Sequence, residues 1–214
     1  MDMRRRPDRS LVVIGALGAD VVVLQEVDKR LPPRPAALPH DMVEQEGWAI
    51  LPFGAPGGSL GWHGNAMLVR PGMGIARTRH LDLPGLEPRG AVLAELETGL
   101  GPVRIVGLHL GLVRRFRRLQ VAAIQRHLAR LPAMPTVWAG DFNEWGNAGT
   151  LISGLPDLRF AATPPSYPAL RPVARLDRIA HCRNLRVTAT DAHDAKPAHI
   201  ASDHLPVWAD LAPG

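Results

Sequence analysis

Short apolar runs that end in polar residues recur along the chain and predict buried β-strands. The clearest runs cover residues 21–24, 66–69, 103–108 and 136–139. Aliphatic runs of roughly four to eight residues, bounded by turn residues, are typical of strands. Weaker patterns predict strands at residues 48–51, 91–97, 178–180 and 205–211. Residues 91–97 alternate in polarity, which predicts a strand buried on one face only.

Two segments have the apolar spacing of amphipathic helices. The first covers residues 10–17 and is bounded by Pro7 and Gly18. The second covers residues 113–131 and is followed by prolines. Its predicted apolar face comprises Phe116, Leu119, Val121, Ile124, Leu128 and Leu131. Residues 31–40 and 151–170 are predicted loops. Many strands with two long helices favour an α/β protein built on stacked sheets.

Composition limits the class of protein without naming a function. The 214 residues suit one domain, and no apolar run is long enough to span a bilayer. Cys182 is the single cysteine, so an internal disulfide is excluded and a reducing, cytoplasmic location is expected. The net charge of +5 comes almost wholly from arginine. This excess resembles a compositional bias and favours an anionic partner only mildly.

The segment Gly140-Asp141-Phe142-Asn143 is the first candidate site. It follows a predicted buried strand, and Gly140 permits a sharp turn there. Asp141 and Asn143 are two residues apart and can therefore share a face. A carboxylate and a carboxamide together can address one small charged group. Taken alone, the segment fits an ordinary polar turn equally well.

Other polar residues occupy similar positions at predicted strand ends. They are Glu26, His109, Asp177, Asp203 and His204. A single histidine or aspartate in such a place is more often structural than catalytic. Because ligands in layered α/β folds gather at strand ends, the repeated pattern favours one shared site.

Five segments occur in the order used by the endonuclease/exonuclease/phosphatase superfamily, which this chain resembles. They read LQEV from Leu24, GLHL from Gly107, GDFN from Gly140, LDRI from Leu176 and SDHLP from Ser202. The family includes deoxyribonucleases, abasic-site endonucleases, inositol polyphosphate phosphatases and neutral sphingomyelinases. The resemblance covers roughly residues 8–211. It implies a four-layer α/β sandwich of two facing sheets flanked by helices, forming one catalytic domain over residues 1–214.

The resemblance also implies a site that uses Mg²⁺ or Mn²⁺ to cleave a phosphoester. The residues that match metal ligands are Glu26, Asp203 and Asp141. Those that match catalytic positions are Asp141, His204, Asp177, His109 and Asn143. Those that match substrate-binding positions are Asn143, Arg89 and His109. In this scheme Asp141 orients or deprotonates water, and Asp177 holds His204 against the scissile phosphate.

The motifs leave the substrate open, because loops decide it in folds of this kind. Nucleic acid is one candidate, and a lipid head group or small phosphoester is another. A non-catalytic binding protein is the third. Trp145 is predicted to line the pocket, whereas Trp48 and Trp62 are predicted to be core residues. Residues 31–39 and 163–172 are predicted to rim the cleft.

Four arginines at the start of the second helix have two interpretations. They are Arg114, Arg115, Arg117 and Arg118. Cations are disfavoured at a helix N-terminus, so a nearby anionic partner is one interpretation. A solvated helix face is the other.

The family's first strand, which carries an asparagine near the metal, has no counterpart in residues 1–7. We therefore expect an open ladder edge in the sheet and one ligand fewer in the site. We also expect lower stability and activity than in a longer form of the protein. A monomer without a transmembrane segment is expected.

Overall fold

Eleven β-strands and four α-helices lie in the described part of the chain, which comprises residues 6–28, 36–54, 58–155 and 157–214 of a computed structural model. The strands are β1 Val21–Leu24, β2 Ala49–Ile50, β3 Ala66–Val69, β4 Gly74–Leu83, β5 Arg89–Thr98, β6 Gly101–His109, β7 Thr136–Asp141, β8 Leu158–Phe160, β9 Asp177–Cys182, β10 Leu185–Ala192 and β11 Val207–Pro213. The helices are α1 Pro7–Ala16, α2 His40–Gln45, α3 Arg114–Leu128 and α4 Ala198–Ala201. None of the helices in these ranges has the length and apolar character needed to cross a membrane.

A six-stranded mixed sheet carries the centre of the fold, in the order β4-β5-β6-β7-β9-β8. Strands β6 and β7 are parallel, and their neighbours are antiparallel. Helix α3 connects β6 to β7, since parallel neighbours need a crossover. Two smaller sheets, β1-β3-β2 and β10-β11, complete the set.

The sheets and helices stack in four layers. One apolar core joins the large sheet to both small sheets and includes Met67, Val92 and Ile105. A second core joins the opposite face of the large sheet to α3 through Val121 and Ile124. A third packs α1 and α2 against the three-stranded sheet. The predicted four-layer α/β sandwich is confirmed, with the smaller side divided between two sheets.

Gly107 shows how closely the sheets approach. A Cβ at this position in β6 would lie 2.7 Å from Cγ1 of Val23 and 2.9 Å from Cγ2 of Val92. A side chain here would therefore separate β1 from the large sheet.

Strand β5 is buried on both faces, so the prediction of a half-buried strand is wrong. Its residues 90–96 are all buried. One face packs in the core between the sheets, and the other packs toward α3. The polar residue within it, Glu95, is neutralised by Arg104, whose Nη2 lies 2.7 Å from Oε1. A paired charge is far less costly to bury than an unpaired one.

Helix α3 also differs from its predicted apolar face. Leu119 is 44% exposed, whereas Arg117 and Gln120 are buried. The side chain of Gln120 is satisfied by two loop groups, the amide of Gly111 and the carbonyl of Pro84. Polar partners in neighbouring loops therefore decide which side of the helix faces inward.

The small sheets leave two strand edges open. Among the described strands, β1 pairs only with β3 and β11 pairs only with β10. Residues of both strands line a cavity of about 2350 Å³. The edge of β1 that faces away from β3 has no ladder partner among the described strands, and the predicted loss of a first strand stays a prediction. The same cavity leads to the polar strand ends.

Candidate active site

Sheet register brings three of the predicted residues together. The parallel pairing of β6 and β7 places His109 opposite Asp141. The antiparallel pairing of β7 and β9 places Asp141 opposite Asp177. Together with Glu26, Asp203 and His204, these three side chains line the large cavity. Five separate segments of the chain therefore converge on one site.

The GDFN turn is fixed by its glycine. Gly140 has a φ of +141°, and a Cβ there would lie 2.0 Å from the carbonyl oxygen of Leu108. Asn143 adopts a left-handed φ of +49°, a conformation that asparagine tolerates better than most residues. Its amide N–H donates to Oδ1 of Asp141 over 2.7 Å. Its Nδ2 donates to the carbonyl of Leu110, so this predicted phosphate-binding side chain is anchored to the backbone.

Asp141 is buried, with 6% of its surface exposed. Burial, and to a smaller extent the nearby charge of Asp177, raise the pKa of its carboxyl from 3.8 to about 6. The N–H of Asn143 and the charges of His204 and Arg89 oppose this shift. A carboxyl with this pKa can accept a proton near neutral pH and release it readily.

His204 is paired with Asp177. Its Nδ1 lies 2.7 Å from Oδ2 of the aspartate. Burial lowers the pKa of the imidazole, but the hydrogen bond and charge of Asp177 outweigh burial and raise the pKa to about 9. The ring is therefore cationic at neutral pH, and Nδ1 donates to Asp177. Nε2 is left to donate toward the cavity.

Ser166 was not identified from the sequence. Its hydroxyl donates to the same Oδ2 of Asp177, and the residue is fully buried. Its carbonyl accepts the N–H of Leu205, which follows His204 directly. Ser166 therefore holds both partners of the pair from a loop that was predicted only to rim the cleft. Serine is an ordinary loop residue, so its identity alone carries no signal.

His109 lies between Arg89 and Asp141. Nη1 of Arg89 lies 2.8 Å from the ring nitrogens of His109, and Nε2 of His109 lies 3.4 Å from Oδ2 of Asp141. Glu87 accepts from Nη2 of Arg89 over 2.7 Å. Arg89 thus reaches the site through His109, and its charge is partly compensated. Among the described residues, neither Arg89 nor Asn143 lines the cavity itself.

Glu26 occupies a strained turn at the end of β1. Its φ of +57° is uncommon for a residue with a side chain. The backbone of Gly64 packs against it, since a Cβ there would lie 3.4 Å from Cα of Glu26. Asp28, which the sequence did not single out, accepts from Ser59, Leu60 and Gly64 and holds this loop in place. Backbone strain of this kind is typical of functional sites.

The carboxylates fit a hard divalent cation by their chemistry. Glu26, Asp141 and Asp203 offer the oxygen ligands that Mg²⁺ and Mn²⁺ favour. The charge of Asp177 already makes ionisation of Asp141 costly, and a nearby cation would relieve that repulsion. Within the described ranges, however, no three His, Cys, Asp or Glu side chains are gathered closely enough to hold a metal ion.

Glu144 provides the anionic partner for part of the arginine cluster. It is buried, and Oε2 lies 3.2 Å from Nε of Arg114 and 3.2 Å from Nη2 of Arg117. Burial raises the pKa of Glu144, but the Gly146 N–H and these arginines hold the pKa below its ordinary value. Arg115 and Arg118 are exposed. The cluster is therefore divided between an internal ion pair and a solvated helix face.

Replacing Glu144 with Gln is expected to lower the free energy of unfolding by about 3 kcal/mol, because it leaves the buried Arg117 charge uncompensated. Urea unfolding monitored by tryptophan fluorescence measures this change. Glu46→Gln, at an exposed position, serves as the matched control. A loss at Glu144 no larger than in the control would show that the pair does not stabilise the loop.

The tryptophans divide into core and surface residues. Trp48 is buried as predicted, whereas Trp62 is only half-buried and stacks on His80 with ring centroids 3.7 Å apart. Trp145 is 66% exposed and meets Tyr167 edge-on at 5.8 Å. The Tyr167 ring lies 4.8 Å from that of His204. Trp145 therefore contacts the site through Tyr167 and lines a second cavity instead of the large one.

The predicted rim of the cleft is found in part. Residues 168–171 line the large cavity, as do Ala37 and Leu38. Residues 31–35 of the proline-rich segment lie outside the described residues.

Comparison with known proteins identifies the family. The sequence profile of the Endonuclease/Exonuclease/phosphatase family matches residues 3–204. The chain belongs to this family. It is also 27% identical over 217 residues to "Uncharacterized protein YbhP" of Escherichia coli K12, an alignment that covers 92% of this chain and 85% of that protein.

Solved structures share the fold at low sequence identity. The mannosyl-6-phosphatase Bt3783 of Bacteroides thetaiotaomicron superposes with a TM-score of 0.75 at 15% identity, covering 97% of this chain and 90% of that one. The TDP2 of D. rerio, complexed with a single-strand DNA product, gives a TM-score of 0.75 at 15% identity, covering 99% and 94%. At these identities the likeness establishes the fold alone.

Proposed function

We propose that this protein is a metal-dependent hydrolase of phosphoesters, cleaving phosphodiester or phosphomonoester bonds as a single catalytic domain. One observation carries the proposal. Asp141 and His204 lie in one cavity with pKa values shifted to about 6 and about 9, so a base and a cationic acid coexist at neutral pH. Sites that separate the pKa values of neighbouring groups in this way are suited to acid–base chemistry.

The residues take distinct parts in the reaction. Asp141 orients the attacking water or accepts its proton. The imidazolium of His204 donates from Nε2 to a phosphoryl oxygen and stabilises the negative charge that develops there. Asp177 and Ser166 fix the ring of His204 in the orientation that presents Nε2. His109 supplies a further donor to the phosphate, and Arg89 holds its ring from behind the cavity wall.

Mg²⁺ or Mn²⁺, held by Glu26, Asp203 and Asp141, would supply a Lewis acid that neutralises charge on the phosphoryl group. These residues would approach the cation from separate segments of the chain. Glu26 comes from the end of β1, and Asp203 precedes β11.

Nucleic acid is the substrate class that we place first. The D. rerio relative is seen with a single-strand DNA product, and the net charge of +5 suits a polyanion. A lipid head group or small phosphoester is the second candidate, favoured by the mannosyl-6-phosphatase likeness. We further propose that the protein acts as a cytoplasmic monomer. A catalytically impaired homologue that only binds is the remaining alternative.

The proposal predicts hydrolysis that requires Mg²⁺ or Mn²⁺. Initial rates measured on plasmid DNA, abasic oligonucleotide, RNA, phospholipid and inositol phosphates distinguish the substrate classes. The expected result is turnover of at least one class that stops in EDTA and in His204→Ala. A protein whose melting temperature does not change with Mg²⁺ or Mn²⁺ and that turns over none of these substrates would favour the binding-only alternative.

A further inference from the structure

A second cavity lies beside the candidate active site and plays no part in the chemistry described above. It has a volume of about 630 Å³. Its walls are the turn of residues 146–149 together with Trp145, Phe160, Val173, Arg175 and Arg178. Trp145 connects it to the active site, because Trp145 contacts Tyr167 and Tyr167 contacts His204. A ligand extending from His204 past Tyr167 would therefore meet this cavity next.

Two arginines give the cavity a positive charge that no close carboxylate pairs with. Within the described residues, no carboxylate oxygen lies within 4.0 Å of the guanidinium of Arg175 or Arg178. Arg175 donates from Nε to the carbonyl of Thr163, and Arg178 donates from Nη2 to the carbonyl of Glu144. Nε of Arg178 is buried without a hydrogen-bond partner. The pair thus retains donors that an anion could occupy.

The two guanidinium groups also act on each other. Burial lowers the pKa of Arg178, and the charge of Arg175 lowers it further, while Glu144 and Asp177 oppose this only partly. Like charges that repel each other are stabilised when an anion binds between them. Phosphate suits two arginines because it accepts several hydrogen bonds at once.

Trp145 supplies a flat surface at the mouth of the cavity. It is 66% exposed, and its edge-on contact with Tyr167 leaves most of the indole accessible. The turn that carries it is anchored, because the Gly146 N–H donates to Oε1 of the buried Glu144. An exposed tryptophan on a fixed turn beside two arginines combines a stacking surface with a phosphate site. Proteins that bind single-stranded nucleic acid use this combination.

We propose that this cavity binds the nucleotide adjacent to the scissile phosphate of a single-stranded nucleic acid, with its base on Trp145 and its phosphate on Arg175 and Arg178. The inference rests on the proposed function, since it places the scissile phosphate at His204. It assigns the choice of substrate to a subsite outside the acid–base residues. A lipid head group carries no base for the indole, so it would leave Trp145 unused.

Affinity for an oligonucleotide tests the subsite without requiring turnover. Fluorescence anisotropy of a labelled single-stranded phosphorothioate oligonucleotide gives the Kd in Mg²⁺ buffer. Trp145→Leu removes the stacking surface for one base, and Arg175→Gln removes one phosphate contact. Each variant is expected to raise the Kd about tenfold. Trp145→Tyr is expected to recover most of the affinity. Arg118→Gln, which removes an exposed arginine from α3, is expected to leave the Kd unchanged.

A second measurement separates this subsite from the proposed function. The ratio of kcat/KM for the oligonucleotide to kcat/KM for bis(p-nitrophenyl) phosphate is expected to fall about tenfold in Trp145→Leu. Unaltered affinity in both variants, with melting temperatures like wild type, would overturn the subsite while leaving hydrolysis intact. Anionic phospholipid vesicles that displace the oligonucleotide only when Trp145 is present would also overturn it. Weakened binding in a protein without turnover would instead support the subsite and contradict the proposed function.

Discussion

Asp141→Asn is expected to lower kcat by about 10³-fold while raising the stability of the fold. The carboxamide keeps an oxygen that can accept the Asn143 N–H, so the turn is retained. It cannot take a proton from water, and general-base catalysis is worth about 10²–10⁴-fold. The loss should therefore appear in kcat, with a smaller change in KM.

The gain in stability follows from the sign of the pKa shift. The carboxyl of Asp141 has a pKa of about 6 in the folded protein and an ordinary value of 3.8. The folded state therefore binds this proton more tightly, and the stability that the proton contributes is lost as the pH rises from 3.8 to about 6. Removing the charge should raise the free energy of unfolding at pH 7, in EDTA, by roughly 3 kcal/mol.

Steady-state kinetics and thermal melting measured on the same preparations check both effects. Asp41→Asn, at an exposed position on α2, is the control for loss of an acid. A variant that is inactive and also less stable than wild type would indicate a structural role for Asp141. A variant with wild-type kcat would exclude it as the base.

Asp177→Asn is expected to lower turnover about 10²-fold and to move the whole pH–rate profile toward acid. The charge of Asp177 raises the pKa of both Asp141 and His204. Removing it should lower both values, so that the acidic and alkaline limbs shift in the same direction. A mutation that merely loosened the fold would lower the rate without this paired displacement.

The profile of kcat/KM against pH measures the shift directly, because ionisation of Asp141 sets its acidic limb and deprotonation of His204 sets its alkaline limb. The stability of the wild-type protein also depends on pH. Because the pKa of His204 is raised from 6.5 to about 9, its ion pair stabilises the fold fully below pH 6.5 and is lost as the pH rises through 9. Limbs that stay in place in Asp177→Asn would contradict the assigned pairing.

The central strands and the strand-end residues were predictable because burial leaves a direct trace in sequence. Strand β3 has the predicted bounds of residues 66–69, and all four of its residues are buried. The site followed from the same runs, since β6 and β7 are parallel and their ends must meet at one edge. His109 and Asp141 are register partners for this reason.

Exposed strands have no comparable apolar run in the sequence. Strand β4 has ten residues, of which only Leu83 is buried, and β10 has only Leu185 buried. Edge strands of this kind are held by ladder hydrogen bonds to a neighbour and not by an apolar pattern. Neither strand was predicted.

The supporting residues of the site depend on tertiary contacts that no local pattern records. Ser166 is hydrogen-bonded to Asp177, eleven residues away in sequence, and Glu144 is hydrogen-bonded to Arg117, 27 residues away. Asp28 reaches the loop at Gly64 in the same way. Serine, glutamate and aspartate are common in loops, so only the folded arrangement distinguishes these from solvated residues.

The most direct test of the account is the initial rate of bis(p-nitrophenyl) phosphate hydrolysis at pH 7.5 as MgCl₂ is titrated, with wild type and Asp141→Asn measured side by side. We expect a rate that rises with Mg²⁺ to a plateau in the wild type and falls to background in EDTA and in the variant. A wild-type rate that persists in EDTA, or a variant that reaches the same plateau, would contradict the assignment of this cavity as a metal-dependent phosphoesterase site.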